Sequence, residues 1–419
     1  MTGRPLAGEG HALPPGVDWT PVDEALLALR NGLTCVADTE TVDLGSAGGR
    51  FLAEPVTARR SNPSATNSAI DGYGFAHASL GDGEGCRLKL ATGRAAAGVP
   101  HDSRLEPGHA VRILTGAILP PGVDTVVLEE NTRIDGGHVC FRKPGRAGQN
   151  TRLAGEDFGE GDLLLDAGTL LNAARIGHLA SAGADRVTVR SILRVGILST
   201  GEELRRVGQE TEAHHVPDSN RPMLLALVDR PGFRPVDLGM AGDDPDEIRH
   251  RLASSTGKVD AVITSGGVST GDEDHVSRLL SDEASLNIWR IAMKPGRPLA
   301  LAIWNGLPVF GLPGNPVAAF VCSLVFVLPA LRLLAGGGWI EPRGFPVPAA
   351  FTKRKKPGRR EFVRARLNPE GEAEAFQSEG SGLTTGLAWS DGLVELEDSR
   401  LQVGRGDPVR YLPYASFGL

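Results

Sequence analysis

Between Val259 and Pro316 three apolar runs, Val259 to Thr264, Asn287 to Met293 and Pro308 to Gly311, each stop at a turn of Gly, Pro, Ser or Asn. Runs of this kind read as buried strands, and in an open parallel sheet such turns gather outside the carboxyl ends, where ligands bind. The first turn carries Gly266, Gly267 and Ser269, the second Lys294 and Arg297, and the third Gly314 and Asn315. Glycines there let backbone N–H groups approach an oxyanion. A helix opening at Pro316 points its positive end at the same place. Lys294 and Arg297 add full charge, and Asp272, Glu273 and Asp274 could hold a hard cation. The combination suits a phosphate-bearing substrate with Mg²⁺. Singly, each turn is an ordinary α/β loop and the acidic run an ordinary helix start. The reading rests on three turns falling in one sheet.

The flanks extend the pattern. Leu193 to Leu204 reads as a strand ending in Thr200-Gly201, followed by Glu202 and Glu203. Asp218-Ser219-Asn220 caps a helix from Arg221 to Asp229, a strand follows near Pro235 to Leu238, and a turn carries Asp243 and Asp244 ahead of Pro245. Strands alternating with helices predict a doubly wound α/β sheet over residues 191–337. Val317 to Leu331 has no charge, but it is too short to span a bilayer and Pro329 interrupts it, so it reads as a buried helix of that unit.

With 419 residues the chain holds more than one domain, roughly two to four. Thr20 to Arg30 begins a helix, with Thr20 as cap and Pro21 at the first position. From Thr41 to about Asn150 short strands alternate with Gly/Pro turns. Within that block Asn67, Ser68 and Asp71 sit beside Gly72 and Gly74, the pattern of an Asx turn between strands. Thr115-Gly116 falls where another strand ends. Helical texture returns over Leu170 to Ser181, so residues 41–150 read as an insertion into one helical unit. After Trp339 short strands return, predicting an all-β tail. It opens with Lys353 to Arg366, eight basic residues against one acid, which reads by default as a solvated strand edge and alternatively as a cationic wall facing the anion site.

A net charge of −7 argues against nucleic-acid binding driven by overall charge. Cys35, Cys86, Cys140 and Cys322 form no CxxC pair, which predicts reduced thiols and a cytoplasmic protein. No apolar leader is visible at the N-terminus.

Several motifs in order resemble the molybdopterin molybdenumtransferase family, the MoeA-type enzymes that include the E domain of gephyrin. They are Asn67-Ser-Ala-Ile-Asp-Gly-Tyr, Arg112-Ile-Leu-Thr-Gly-Ala, Gly155-Glu-Asp, Leu198-Ser-Thr-Gly-Glu-Glu-Leu and Asp218-Ser-Asn-Arg. Thr264-Ser-Gly-Gly-Val-Ser-Thr-Gly-Asp-Glu-Asp, Met293-Lys-Pro-Gly and Gly311-Leu-Pro-Gly-Asn-Pro complete the set. The resemblance implies Mg²⁺-dependent insertion of molybdate into adenylylated molybdopterin, with release of AMP. It also implies a multidomain α/β plus β fold: an elongated dimerisation domain (16–54 and 151–190), an inserted β domain (55–150), a molybdopterin-binding α/β domain (191–337) and a C-terminal β-barrel domain (338–419). A homodimer with its site shared between subunits follows from the same likeness, with transient contacts to the pterin adenylyltransferase and to molybdoenzymes, and no nucleic acid or membrane.

Carried over position by position, the resemblance makes Asp274 and Asp243 the metal ligands. Asp274, Glu203, Asp243, Asp71 and Thr115 become the catalytic set, the last two offered by the inserted domain. Lys294, Arg297, Arg290, Ser381, Gly266, Gly267, Ser269, Gly314 and Asn315 become the substrate-binding set. This chain departs from the family pattern in having Arg290 and Arg297 for lysine, Ala318 for serine, Thr66 for aspartate and His275-Val276 for Tyr-Thr. A pterin adenylyltransferase, or a scaffold that binds molybdopterin without chemistry, is the alternative.

Overall fold

The computed structural model describes residues 19–210, 212–267, 276, 279–280, 285–296 and 298–419. Its centre is a six-stranded sheet in the order Phe233–Ala241, Leu193–Thr200, Ala261–Ser265, Leu307–Leu312, Pro298–Trp304, Ser285–Arg290. The first four strands run parallel. Alternation along them feeds two cores. Val195, Ile197, Ile263, Phe310 and Leu312 face one, and Leu198, Val262, Val309 and Ala302 the other. Helices cover both faces: Asn220–Val228 and the helix after Pro316 on the first, Pro245–Ser255 on the second. That is a doubly wound arrangement, built because strands buried on two sides must be apolar throughout.

The sheet is mixed rather than wholly parallel, since Pro298–Trp304 runs antiparallel to both neighbours. Two reversals restore direction, so Ser285–Arg290 still ends at the same edge as the parallel strands. The reversal is made by Asn305-Gly306, both at positive φ (49° and 83°). Asn-Gly between apolar runs is the strongest short-range hairpin signal.

After Pro316 the chain stays helical for 19 residues to Leu334, most of them buried. Pro329 does not stop it. A π turn over Ser323–Val327 precedes the proline, and the looser ladder there absorbs the N–H that proline cannot supply. This helix packs against Val22–Gly32, which buries Val22, Ala25 and Leu29. Thr20 is not that helix's cap. Its N–H donates to Arg290 O at 3.0 Å, a backbone bridge that leaves Pro21 at the cap position.

The strand Thr39–Asp43 pairs antiparallel with Arg186–Arg190. Leu44, Ala47 and Leu52 share one core with Leu171, Leu179 and Val189, so two segments far apart in sequence build one unit. Its second helix, Ala173–Ser181, is capped by Asn172, whose side chain accepts from Arg175 N. Between the segments lies a second six-stranded sheet, in the order Thr125–Leu128, Gly72–Phe75, His109–Ile113, Gly85–Ala95, His138–Arg142, Thr132–Asp135, packed on Tyr73, Phe75 and Phe141.

The tail forms a curled sheet in the order Met293–Lys294, Arg360–Leu367, Gly392–Leu396, Pro408–Pro413, Phe345–Pro348. Its first member belongs to the α/β unit. Met293 and Lys294 pair parallel with Arg360 and Glu361, so Lys294 is held where the two sheets meet.

Candidate functional site

The carboxyl edge of the parallel strands opens into a cleft of about 550 Å³. Thr200, Gly201 and Glu203 enter it from one strand end, Asp243 from the next, and Gly266 and Gly267 from the third. Pro313, Gly314 and Asn315 follow the fourth, and Lys294, Glu379 and Ser381 close the far side. Only glycine fits at 266, where φ is +102° and an added Cβ would lie 2.3 Å from Thr200 O.

Cross-links hold the loops. Asn220 Nδ2 donates to Ser265 Oγ and to Gly314 O, both at 2.6 Å, tying the first helix of the sheet to two strand ends. Glu202 N donates to Asp243 Oδ2, while Asp243 N donates back to Glu202 Oε1, each at 3.2 Å. Asp218, buried, takes the Arg221 amide and guanidinium, and Arg221 also reaches Asp237. Thr200 Oγ1 and Asn220 Oδ1, on residues lining the cleft, are buried without a hydrogen-bond partner among the described residues. Polar atoms so placed ordinarily find one.

Charge on the far side is already paired. The Glu379 carboxylate receives both Lys294 Nζ and Lys353 Nζ. Lys353 also pairs with Glu361 at 3.0 Å, and Glu361 with Arg359 at 2.8 Å. Burial pushes the Lys353 ammonium down against the pull of Glu361. Burial works to raise the Glu361 carboxyl, but Lys353 and Arg359 outweigh it and hold it below the usual carboxylate range.

The basic stretch is therefore not a solvated strand edge. Lys353, Lys355, Arg359 and Arg364 are all buried. Arg364 donates to the carbonyls of Leu383, Ser378 and Gly380, scaffolding the loop that carries Glu379 and Ser381. Lys355 Nζ donates to Arg359 O and Asp398 O. Buried cations need partners, and here backbone carbonyls and two carboxylates supply them.

Glu203, Asp243, Lys294, Ser381, Gly266, Gly267, Gly314 and Asn315 thus face one cleft. Asp71 and Thr115 do not line it. They sit together at one end of the second sheet, just outside its strands Gly72–Phe75 and His109–Ile113, where Thr115 N and Oγ1 both donate to Asp71 Oδ1 at 2.6 Å. The Thr115 hydroxyl, then its amide, hold the Asp71 carboxyl below its ordinary value. Arg290 does not line the cleft either; its role in the strand is carried by its carbonyl, which accepts from Thr20. Asp274, Ser269 and Arg297 lie outside the described residues, as do Asp272 and Glu273. Glu379 and Asn220 are cleft residues that the sequence reading missed. Asn220 could have been found, since it lies inside the Asp218-Ser-Asn-Arg motif; nothing in the sequence marks Glu379.

Residues 20–183 match a family model for the MoeA N-terminal region (domain I and II), 196–333 one for a probable molybdopterin binding domain, and 346–414 one for the MoeA C-terminal region (domain IV). A molybdopterin molybdenumtransferase of Haemophilus influenzae is 33% identical over 399 residues, covering 94% of this chain and 98% of that one. The chain belongs to the molybdopterin molybdenumtransferase family. A family member from Nostoc sp. is 38% identical over 314 residues, 73% of this chain and 72% of its own. The crystal structure of a molybdopterin biosynthesis MoeA protein from Pyrococcus horikoshii OT3 superposes with a TM-score of 0.82 at 26% identity, covering 95% of this chain and 100% of that one. The whole multidomain architecture is therefore shared with the family, and the cleft falls within the stretch matched by the probable molybdopterin binding domain, closed by the C-terminal region.

Proposed function

We propose that this chain is a molybdopterin molybdenumtransferase that inserts molybdate into adenylylated molybdopterin and releases AMP. The observation that carries the reading is the cleft itself, with carboxylates Glu203 and Asp243 entering from strand ends and Lys294 and Ser381 from the far side. Its volume of about 550 Å³ suits a nucleotide-sized ligand. Lys294 binds the anionic oxygens, the Ser381 hydroxyl donates to them, and the glycine turns at 266–267 and 314 let backbone come close.

Mg²⁺ fits this donor set. It binds through one or two carboxylates plus substrate phosphates and keeps several waters. Glu203 and Asp243 are two such carboxylates, and among the described residues no group of three His, Cys, Asp or Glu offers a tighter cage. When bound, Mg²⁺ supplies charge that neutralises phosphoryl oxygens. Asp274 completes this set by its place in the family motif.

The Asp71–Thr115 pair serves the cleft of a second copy, which makes the working protein a cytoplasmic homodimer with each site spanning both chains. Residues 16–54 with 151–190 form the dimerising domain in this reading. Purified protein given Mg²⁺, molybdate and adenylylated molybdopterin is expected to release AMP; folded protein that releases none above background overturns the assignment. Mixing Asp71→Asn and Lys294→Gln chains tests the sharing: mixed dimers regain activity that neither variant has alone. If they do not, Asp71 does not act across the seam.

A further inference from the structure

A second cavity, of about 390 Å³, shares no residue with the cleft. Leu52 and Gly168 to Leu170 wall one side, and the turn Gly336-Gly337-Gly338 the other. Around it stand three guanidiniums, Arg175, Arg190 and Arg332, and among the described residues no carboxylate lines it. The two-segment unit supplies Arg175 and Arg190; the long buried helix supplies Arg332.

Each guanidinium is fixed in place by something other than an anion. Arg175 Nη1 donates to Leu170 O at 2.6 Å, and Arg190 Nη1 to Ala37 O at 3.2 Å. Arg332 stacks 4.8 Å from the centre of the Phe51 ring. Gly336, at φ +81°, has to be glycine for Arg190 to join the wall, because a Cβ there would lie 2.9 Å from Arg190 Cγ. The Nε atoms of Arg190 and Arg332 are buried with no hydrogen-bond partner among the described residues. Burial, and then the charge of Arg175, push the Arg332 guanidinium below its ordinary value. Like charges are gathered in a partly dry place with no counter-ion among the described residues, an arrangement that costs free energy until an anion enters.

The geometry points to a phosphate-binding site in this cavity, separate from the cleft. Guanidinium forks match phosphate oxygens in pairs, and a phosphate monoester brings close to two negative charges at neutral pH, where a carboxylate brings one. Because the walls come from two units, an occupied site also clamps them together. A ligand that binds only the folded state raises Tm by mass action.

The test is titration of the full chain with inorganic phosphate at low ionic strength, read by calorimetry and by Tm. It uses the wild type and Arg175→Gln, Arg332→Gln and Lys294→Gln. Lys294→Gln is expected to keep a phosphate site. Arg175→Gln and Arg332→Gln are expected to weaken it about tenfold or more, the effect of one lost charge-assisted hydrogen bond, and to lose the phosphate-dependent rise in Tm. Arg175 is half-buried at the rim, so its variant remains informative if Arg332→Gln fails to fold. Phenyl phosphate in place of inorganic phosphate separates the sources: tighter binding of the ester marks a phosphorylated ligand, tighter binding of the ion marks free phosphate. Wild-type affinity in Arg175→Gln, loss of binding only in Lys294→Gln, or an equal Tm rise with sodium chloride overturns the site.

Discussion

Two hollows that carry basic side chains treat that charge in opposite ways. In the cleft Lys294 shares the Glu379 carboxylate with Lys353, and the pairing continues inward through Glu361 to Arg359. In the cavity beside Gly336 three guanidiniums stand with no carboxylate among the described residues of the wall. In the first hollow an entering oxyanion must compete with Glu379 for Lys294. The second offers charge outright. A site of the first kind exchanges affinity for discrimination, because only a ligand that outcompetes an internal carboxylate gains the ammonium.

The largest expected effect tests the functional half of that contrast. Lys294→Gln should lower AMP release by about 10²- to 10³-fold, the scale for removing one preorganised donor to a developing oxyanion. It should leave phosphate binding beside Arg175 untouched. A steady-state AMP assay and the phosphate titration on the same preparation read both. Equal loss at the two hollows would mean that they are one site.

Next in size is a stability effect. Glu361→Gln leaves Lys353 and Arg359 buried with one partner fewer, at a cost of about 3 kcal/mol or more; urea unfolding at neutral pH measures it. The same carboxyl sits below its ordinary value in the folded chain. Its stabilisation is therefore complete above the ordinary carboxylate pKa and is lost as pH falls through the lower folded value. The variant should lose stability less steeply than the wild type over that acid range. Parallel acid limbs would show that Glu361 contributes little.

Glu361 also marks where the sequence stops speaking. The α/β sheet was legible because strands buried on both faces must be apolar end to end, and Gly266, Gly314 and Pro316 announce where they stop. The texture changes at Thr41 and reverses near Leu170, and segments on either side of that stretch meet where Thr39–Asp43 pairs with Arg186–Arg190. Pro298–Trp304 was overlooked although Asn305-Gly306 signals its hairpin. The Lys353 to Arg366 stretch misled, since composition gives the charge of a side chain and not which way a curled sheet turns it. Glu379 is invisible for the same reason. It matters because Lys294, 85 residues away, reaches it when a loop strand joins the curled sheet of the tail.

A smaller effect follows from Glu379. Glu379→Gln removes a negative charge bonded to Lys294 while leaving Lys353 paired with Glu361. Molybdate affinity should rise roughly fivefold, an ordinary magnitude for a partly screened charge at contact distance. Titration with molybdate, without the pterin substrate, reads it directly. Weaker binding instead would mean that Glu379 orients the ammonium rather than competing for it, and the contrast between the hollows would narrow to one of geometry.

The smallest effect belongs to Arg290. Its carbonyl receives Thr20 N and so helps hold the end of the strand that leads to Lys294, but its side chain lies outside the cleft wall. Arg290→Gln keeps the backbone bond and should change molybdate affinity by less than about twofold, as for substitutions away from named partners. The same titration decides it. A loss approaching that of Lys294→Gln would place the guanidinium within reach of the ligand, and the cleft would then carry a cation that Glu379 does not answer, making it resemble the arginine hollow after all.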